Sequence, residues 1–215
     1  MWRISLIKKN KPFVKICGIT RERDFQSVVD NGASAVGFIG FSKSPRYVSP
    51  QRVAELLKNI DSGDMQKVVV VVNASLDEIN AYLAAGVDTV QLHGNEDAEF
   101  TAQIDAKVWK ALRLKSEDEI EQFADFPCEL FVIDSFVKDS AIPGGTGHIA
   151  NWELAREFVN KAQSPVLLAG GIRRENALEA LEEVQPYGLD LSSGVEESPG
   201  IKIPQKIDEL FEALK

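Results

Sequence analysis

Val68-Val69-Val70-Val71-Val72, held between Lys67 and Asn73, is an unbroken run of β-branched residues. A strand with one wet face alternates apolar and polar side chains; a run with no polar member needs cover on both faces. Strands of that kind belong to parallel sheets flanked by helices. Working outward, similar short runs recur at Phe13–Cys17, Ala35–Ile39, Thr89–Leu92, Val108–Leu112, Leu130–Asp134, Val166–Ala169 and Leu189–Leu191, beside Lys67–Val72 itself. Amphipathic stretches separate them: Glu22–Asp30, Pro50–Lys58, Ser75–Ala84, Glu96–Ile104, Ser116–Phe126, Trp152–Asn160, Arg173–Glu183 and Pro204–Leu214.

Local signals support the helices. Ser75 with Glu78, and Ser116 with Glu119, have capping-box spacing. Ser49-Pro50 places a cap residue before a proline at the first helical position, and Asn31-Gly32 and Ala85-Gly86 supply C-terminal stops. Alternating strand and helix over about two hundred residues points to an α/β protein made of a single (β/α)8 TIM barrel. An open doubly wound sheet is the alternative, because periodicity does not report closure. Residues 1–12 read as a short N-terminal extension and 13–215 as the barrel.

The chain has 215 residues, 44% hydrophobic and 27% charged, with a formal charge of −9. That acidity argues for no nucleic acid and no membrane among its partners. An anionic ligand would need a local cation or backbone N–H groups. Neither a targeting segment nor a membrane-length apolar run is seen, so a cytoplasmic protein is expected. Cys17 and Cys128 have no metal-ligand or redox-motif spacing.

Several residues sit where a barrel builds its active site, at the carboxyl ends of strands. Cys17 ends the first run, in Val14-Lys15-Ile16-Cys17-Gly18-Ile19-Thr20; it reads either as a small buried hydrophobe or as a reactive thiol. Asp134 follows four apolar residues, which makes its burial costly unless it reaches the strand end. A thiol and a carboxylic acid facing each other suit proton transfer. Gly170-Gly171 and Ser192-Ser193-Gly194 follow the last two strands, where barrels often bind phosphate. Gly144-Gly145-Thr146-Gly147 lies after the sixth strand. Arg46 can clamp a carboxylate or be a solvated loop charge. His93 ends a strand, and Asp190, inside one, needs a partner. Cys128 and His148 read as structural and incidental.

Taken together, Val14–Thr20, Gly37-Phe38 with Lys43–Pro50, Val90-Gln91-Leu92-His93-Gly94, Val132-Ile133-Asp134, Gly144–Gly147 with Trp152, Leu168-Ala169-Gly170-Gly171-Ile172 and Leu189–Glu196 resemble the phosphoribosylanthranilate isomerase family, in the family's order. The resemblance implies an intramolecular aldose–ketose isomerase of tryptophan biosynthesis that needs no cofactor and no metal. It implies Asp134 as general acid, Cys17 as general base and Arg46 on the anthranilate carboxylate. Gly170, Gly171, Ser192, Ser193 and Gly194 would hold the substrate phosphate, and His93 and Asp190 match positions near the site. The partner is then a small phosphorylated molecule, with the chain a monomer or homodimer. The segment from His148 to Asn151 departs from the Lys-Thr-Phe-Asp common in the family, in a loop expected to close over substrate. Other readings are a different sugar-phosphate enzyme on the same barrel, or a non-catalytic phosphate-binding barrel. A metal-dependent epimerase would want more histidines than the 2 present. Indole-glycerol-phosphate synthase would want a lysine where Cys17 stands, and Lys110 is a weaker substitute because alternation turns it outward.

Overall fold

The computed structural model describes residues 11–134 and 152–215. Gly144–Gly147 and His148, and all but the last two residues of the expected extension, lie outside the described residues. Strands β1 (Phe13–Cys17), β2 (Ala35–Ile39), β3 (Gln66–Val71), β4 (Thr89–Leu92), β5 (Lys107–Leu112), β6 (Leu130–Asp134), β7 (Val166–Ala169) and β8 (Gly188–Leu191) pair in chain order. They are parallel, and β8 returns to β1 to close the barrel. Helices α1 (Glu22–Asp30), α2 (Pro50–Asn59), α3 (Leu76–Ala84), α4 (Ala98–Thr101), α5 (Glu117–Phe123), α6 (Trp152–Lys161), α7 (Arg174–Val184) and α8 (Pro204–Ala213) alternate with them. After β8 come a one-turn 3-10 segment, Ser193–Val195, and a hairpin of β9 (Glu196–Ser198) and β10 (Ile201–Lys202).

The valine run is covered on both faces, as its composition demands. Val68 packs inside the barrel with Ala35, Trp109, Ala111, Leu130, Val132, Leu167 and Ala169. Val69 and Val71 point the other way, into the layer between strands and helices with Phe38, Ile79 and Leu92. Inside the barrel, Phe13 of β1 meets Trp109 of β5 edge to face, ring centroids 6.0 Å apart. These strands lie across the barrel from each other, so the contact plugs its lower end. An apolar floor thus supports a polar middle and an open carboxyl edge.

Two expectations need correction. Glu96–Ile104 shortens to the single turn of α4. Asp97 caps it, accepting from Phe100 N at 2.8 Å. Glu96 is drawn away to accept from Asn73 N, Gly94 N and Lys110 Nζ at 2.7, 2.9 and 2.8 Å. The Ser116 box also fails to form: its side chain makes no cap bond, and Glu119 takes the Lys115 N–H instead. The Ser75–Glu78 box and the Ser49 cap do form. Lys110 turns out of the barrel, buried against Glu96.

Candidate active site

Cys17 is the last residue of β1, and Asp134 the last of β6. Both face the carboxyl edge, separated by β7 and β8. Alternation along β1 points Lys15 and Cys17 to the same inner face. Room for the thiol comes from Gly37 on β2, where a Cβ would stand 2.7 Å from Cys17 Sγ. Burial pushes the Cys17 thiol above its ordinary value, outweighing the pull of Lys15; Asp190 adds to the rise. Burial likewise raises the Asp134 carboxyl. Arg113 Nε, 3.6 Å from Asp134 Oδ2, opposes that rise without cancelling it. The carboxyl therefore holds its proton to higher pH than an exposed aspartate does.

Beneath this pair, Lys15 Nζ donates to Asp190 Oδ2 at 2.8 Å, both side chains buried. Asp190 has found the partner it needed. Its other oxygen, Oδ1, is buried without a hydrogen bond among the described residues, as is His93 Nε2. Burial, with Arg113 and Lys15 nearby, lowers His93 to about 4, so the ring is neutral at neutral pH.

Arg46 is brought to the rim by the β2–α2 loop, whose end returns to β2 through Val48 N donating to Ile39 O. Its guanidinium grips Glu196: Nε to Oε1 at 2.9 Å and Nη2 to Oε2 at 2.6 Å. Burial pushes the Glu196 carboxyl up, but bonds from Arg46 and Lys202 outweigh it and hold it ionised, below its usual range. Gly18 lies between Arg46 and Ser192. A Cβ there would be 2.7 Å from Arg46 Cδ and 3.2 Å from Ser192 Oγ, and its φ of +80° belongs to glycine in any case.

Gly170 and Gly171, with φ of 85° and 70°, turn the chain after β7. Asn176 braces that turn, accepting from Arg173 N and donating to Gly171 O at 2.8 and 3.1 Å. The Ser192–Gly194 loop presses against it: a Cβ on Gly194 would stand 2.1 Å from Ile172 O. Beyond Gly194 opens a cavity of about 150 Å³, lined by Arg173, Arg174, Lys206, Glu175 and Glu209. Its cations exceed its carboxylates, a local reversal of the chain's acidity. Cys17, Arg46, Ser192, Ser193 and Gly194 thus converge on one side of the mouth, Gly170 and Gly171 beside them, with Asp134, His93 and Asp190 around the interior. Cys128 is half-buried, and burial raises its thiol to about 12, which fits a structural residue. Among the described residues, no three metal-ligating side chains come together, and no helix is long and apolar enough to cross a membrane.

Sequence reasoning missed four residues that shape the site: Lys15, Arg113, Glu196 and Lys202. Lys15 left a readable trace as a lysine two positions before Cys17 in an otherwise apolar strand. Glu196 closes the Leu189–Glu196 stretch, where no role was read for it, and Arg113 and Lys202 carried no signal that distinguishes them from surface charges.

Residues 14–213 match the family model described as N-(5'phosphoribosyl)anthranilate (PRA) isomerase. The N-(5'-phosphoribosyl)anthranilate isomerase of Aquifex aeolicus is 39% identical over 204 residues, covering 94% of this chain and 98% of that protein. A solved structure of phosphoribosyl anthranilate isomerase with reduced 1-(o-carboxyphenylamino)-1-deoxyribulose 5-phosphate aligns at TM-score 0.80 and 29% identity, covering 94% of this chain and 97% of that one. A structure of monomers generated from the dimeric Thermotoga maritima enzyme aligns at TM-score 0.78 and 30% identity, with the same coverage. With the family model spanning nearly the whole barrel, this chain belongs to the N-(5'-phosphoribosyl)anthranilate isomerase family.

Proposed function

We propose that this chain opens the ribose ring of N-(5-phosphoribosyl)anthranilate and converts the aminoaldose to 1-(2-carboxyphenylamino)-1-deoxyribulose 5-phosphate, the Amadori step of tryptophan biosynthesis. The observation that carries the residue assignment is the placing of Cys17 and Asp134 on one barrel edge, on either side of the glycine turns that follow β7 and β8, with Arg46 beyond Cys17.

Asp134, its proton retained by burial, protonates the furanose oxygen as the C1–O bond breaks. The anthranilate nitrogen lone pair forms the C1=N bond, leaving a protonated Schiff base. Cys17 then takes the C2 proton, and the C2–H electron pair neutralises the iminium to an enolamine. The enolamine then tautomerises to the ketone: C1 takes back a proton from the Cys17 thiol and the C2 hydroxyl proton returns to Asp134, so both groups are restored. Composition is conserved, so no co-reactant enters. Burial keeps the Cys17 thiol protonated in the free enzyme; the positive Schiff base formed beside it is the charge that favours the thiolate.

Arg46 presents the rest of its guanidinium to the anthranilate carboxylate while Glu196 fixes its Nε–Nη2 edge. Gly170, Gly171, Ser192, Ser193 and Gly194 receive the phosphate, in a field made positive by Arg173, Arg174 and Lys206. His93 Nε2 and Asp190 Oδ1, buried and without a hydrogen bond among the described residues, are set to meet the sugar hydroxyls. The free thiols suit a reducing cytoplasm. The assembly is a monomer or homodimer, which sedimentation equilibrium distinguishes.

The test is direct turnover of freshly made phosphoribosylanthranilate, followed by its fluorescence, with wild type and Cys17→Ala in parallel. Rapid signal loss with wild type alone is the expected result. A folded wild type without turnover overturns the reading.

A further inference from the structure

Lys202 is fully buried on β10. Burying an ammonium is costly unless every N–H finds an acceptor. A lysine has three such protons, and Lys202 Nζ directs them to Cys17 O at 2.5 Å, Ser192 O at 3.1 Å and Glu196 Oε1 at 2.9 Å. Ser192 Oγ lies further off, at 3.4 Å. The three acceptors come from three parts of the site: the strand end that bears the thiol, the loop after β8, and the carboxylate that grips Arg46. The backbone of Lys202 is anchored separately. Its N–H donates to Asp24 Oδ2 at 3.1 Å, and its carbonyl accepts from Arg21 Nη2 at 3.0 Å. The ammonium is therefore not needed to keep β10 in place.

We propose that Lys202 is a positioning residue that couples the two anionic ends of the substrate. This rests on the functional reading above. Through Glu196 it sets the guanidinium of Arg46, which takes the carboxylate. Through Ser192 it sets the loop that takes the phosphate. Through Cys17 O it fixes both relative to the base. It touches no substrate atom.

The experiment uses three probes: the product with its ketone reduced to an alcohol, ribose 5-phosphate, and 2-aminobenzoate. Each is titrated calorimetrically into wild type, Lys202→Met and Lys202→Arg, and kcat and KM are measured alongside. Loss of a charged hydrogen-bond donor should weaken the reduced product by about tenfold or more in Lys202→Met, weaken both fragments, and raise KM. Lys202→Arg should recover part of each. A merely structural role would reduce the folded fraction, lowering apparent kcat at unchanged KM. Should Lys202→Met not fold, Lys202→Arg carries the test, because its displaced charge must still weaken both fragments. Weakening of one fragment only, or of neither, overturns the coupling. A wild type that does not bind the reduced product overturns the functional reading and the coupling together; tight wild-type binding with unaffected variants overturns the coupling alone.

Discussion

Lys15 Nζ and Asp190 Oδ2 meet 2.8 Å apart inside the barrel, on residues that are register partners of β1 and β8. The pair joins the first strand to the last at the seam that closes the barrel, one turn of alternation below the Cys17 thiol. Asp190 holds the Lys15 ammonium charged, raising it above an ordinary lysine although burial pulls the other way.

Removing one member leaves a buried charge alone. Lys15→Met should therefore cost about 3–5 kcal/mol of stability in urea unfolding. The double variant Lys15→Met, Asp190→Val should regain most of that loss, since replacing both charges restores an apolar interior. Equal losses in single and double variants would count against this account.

Cys17→Ala and Asp134→Asn should each lower kcat by about 10²–10⁴-fold without unfolding the barrel. On the proposed roles of the two residues, the active form is the one with Asp134 protonated and Cys17 ionised. Because the thiol titrates above the carboxyl, that form is a minor one, and kcat/KM has a plateau bounded below by Asp134 and above by Cys17. Arg113 pulls Asp134 downward, so Arg113→Gln should move the acidic limb to higher pH. An unmoved limb would remove Asp134 from that assignment.

Gly18→Ala forces a methyl group to within 2.7 Å of Arg46 Cδ at a φ of +80°. The strain should cost about 1–3 kcal/mol. The displaced guanidinium should also raise KM, read by steady-state kinetics at matched folded protein. Lost stability with unchanged KM would detach Arg46 from carboxylate binding.

The half-buried His93 titrates at about 4 in the folded chain, against 6.5 unperturbed. Between those values the unfolded chain binds the proton and the folded chain does not. The His93 contribution is complete above about pH 6.5 and is lost as pH falls toward 4, by about 3 kcal/mol in all. Urea midpoints at pH 7.5, 5.5 and 4.5, compared between wild type and His93→Gln, isolate it from the carboxylates. The variant should lose less stability than wild type over that interval; parallel curves would rule the contribution out.

The sequence by itself determined the barrel's parts. Val68–Val72 required cover on both faces, and Ser75, Ser49 and the glycines after α1 and α3 marked helix ends through bonds made within a few residues. Cys17 and Asp134 were legible for the same reason: each closes its own apolar run, and a strand's end is a local fact. Where a local pattern met a competing partner, it yielded. Glu96 left its expected helix for Lys110, Gly94 and Asn73, and Glu119 took a neighbouring N–H instead of completing the Ser116 box. What only the tertiary structure decided is the charge network around the mouth. Lys15 and Asp190 are 175 positions apart, and Lys202 and Cys17 are 185. Their partnerships exist because β8 returns to β1 and the hairpin after it folds over the seam. An ammonium and a carboxylate choose each other by distance and burial, and neither is defined until the barrel closes.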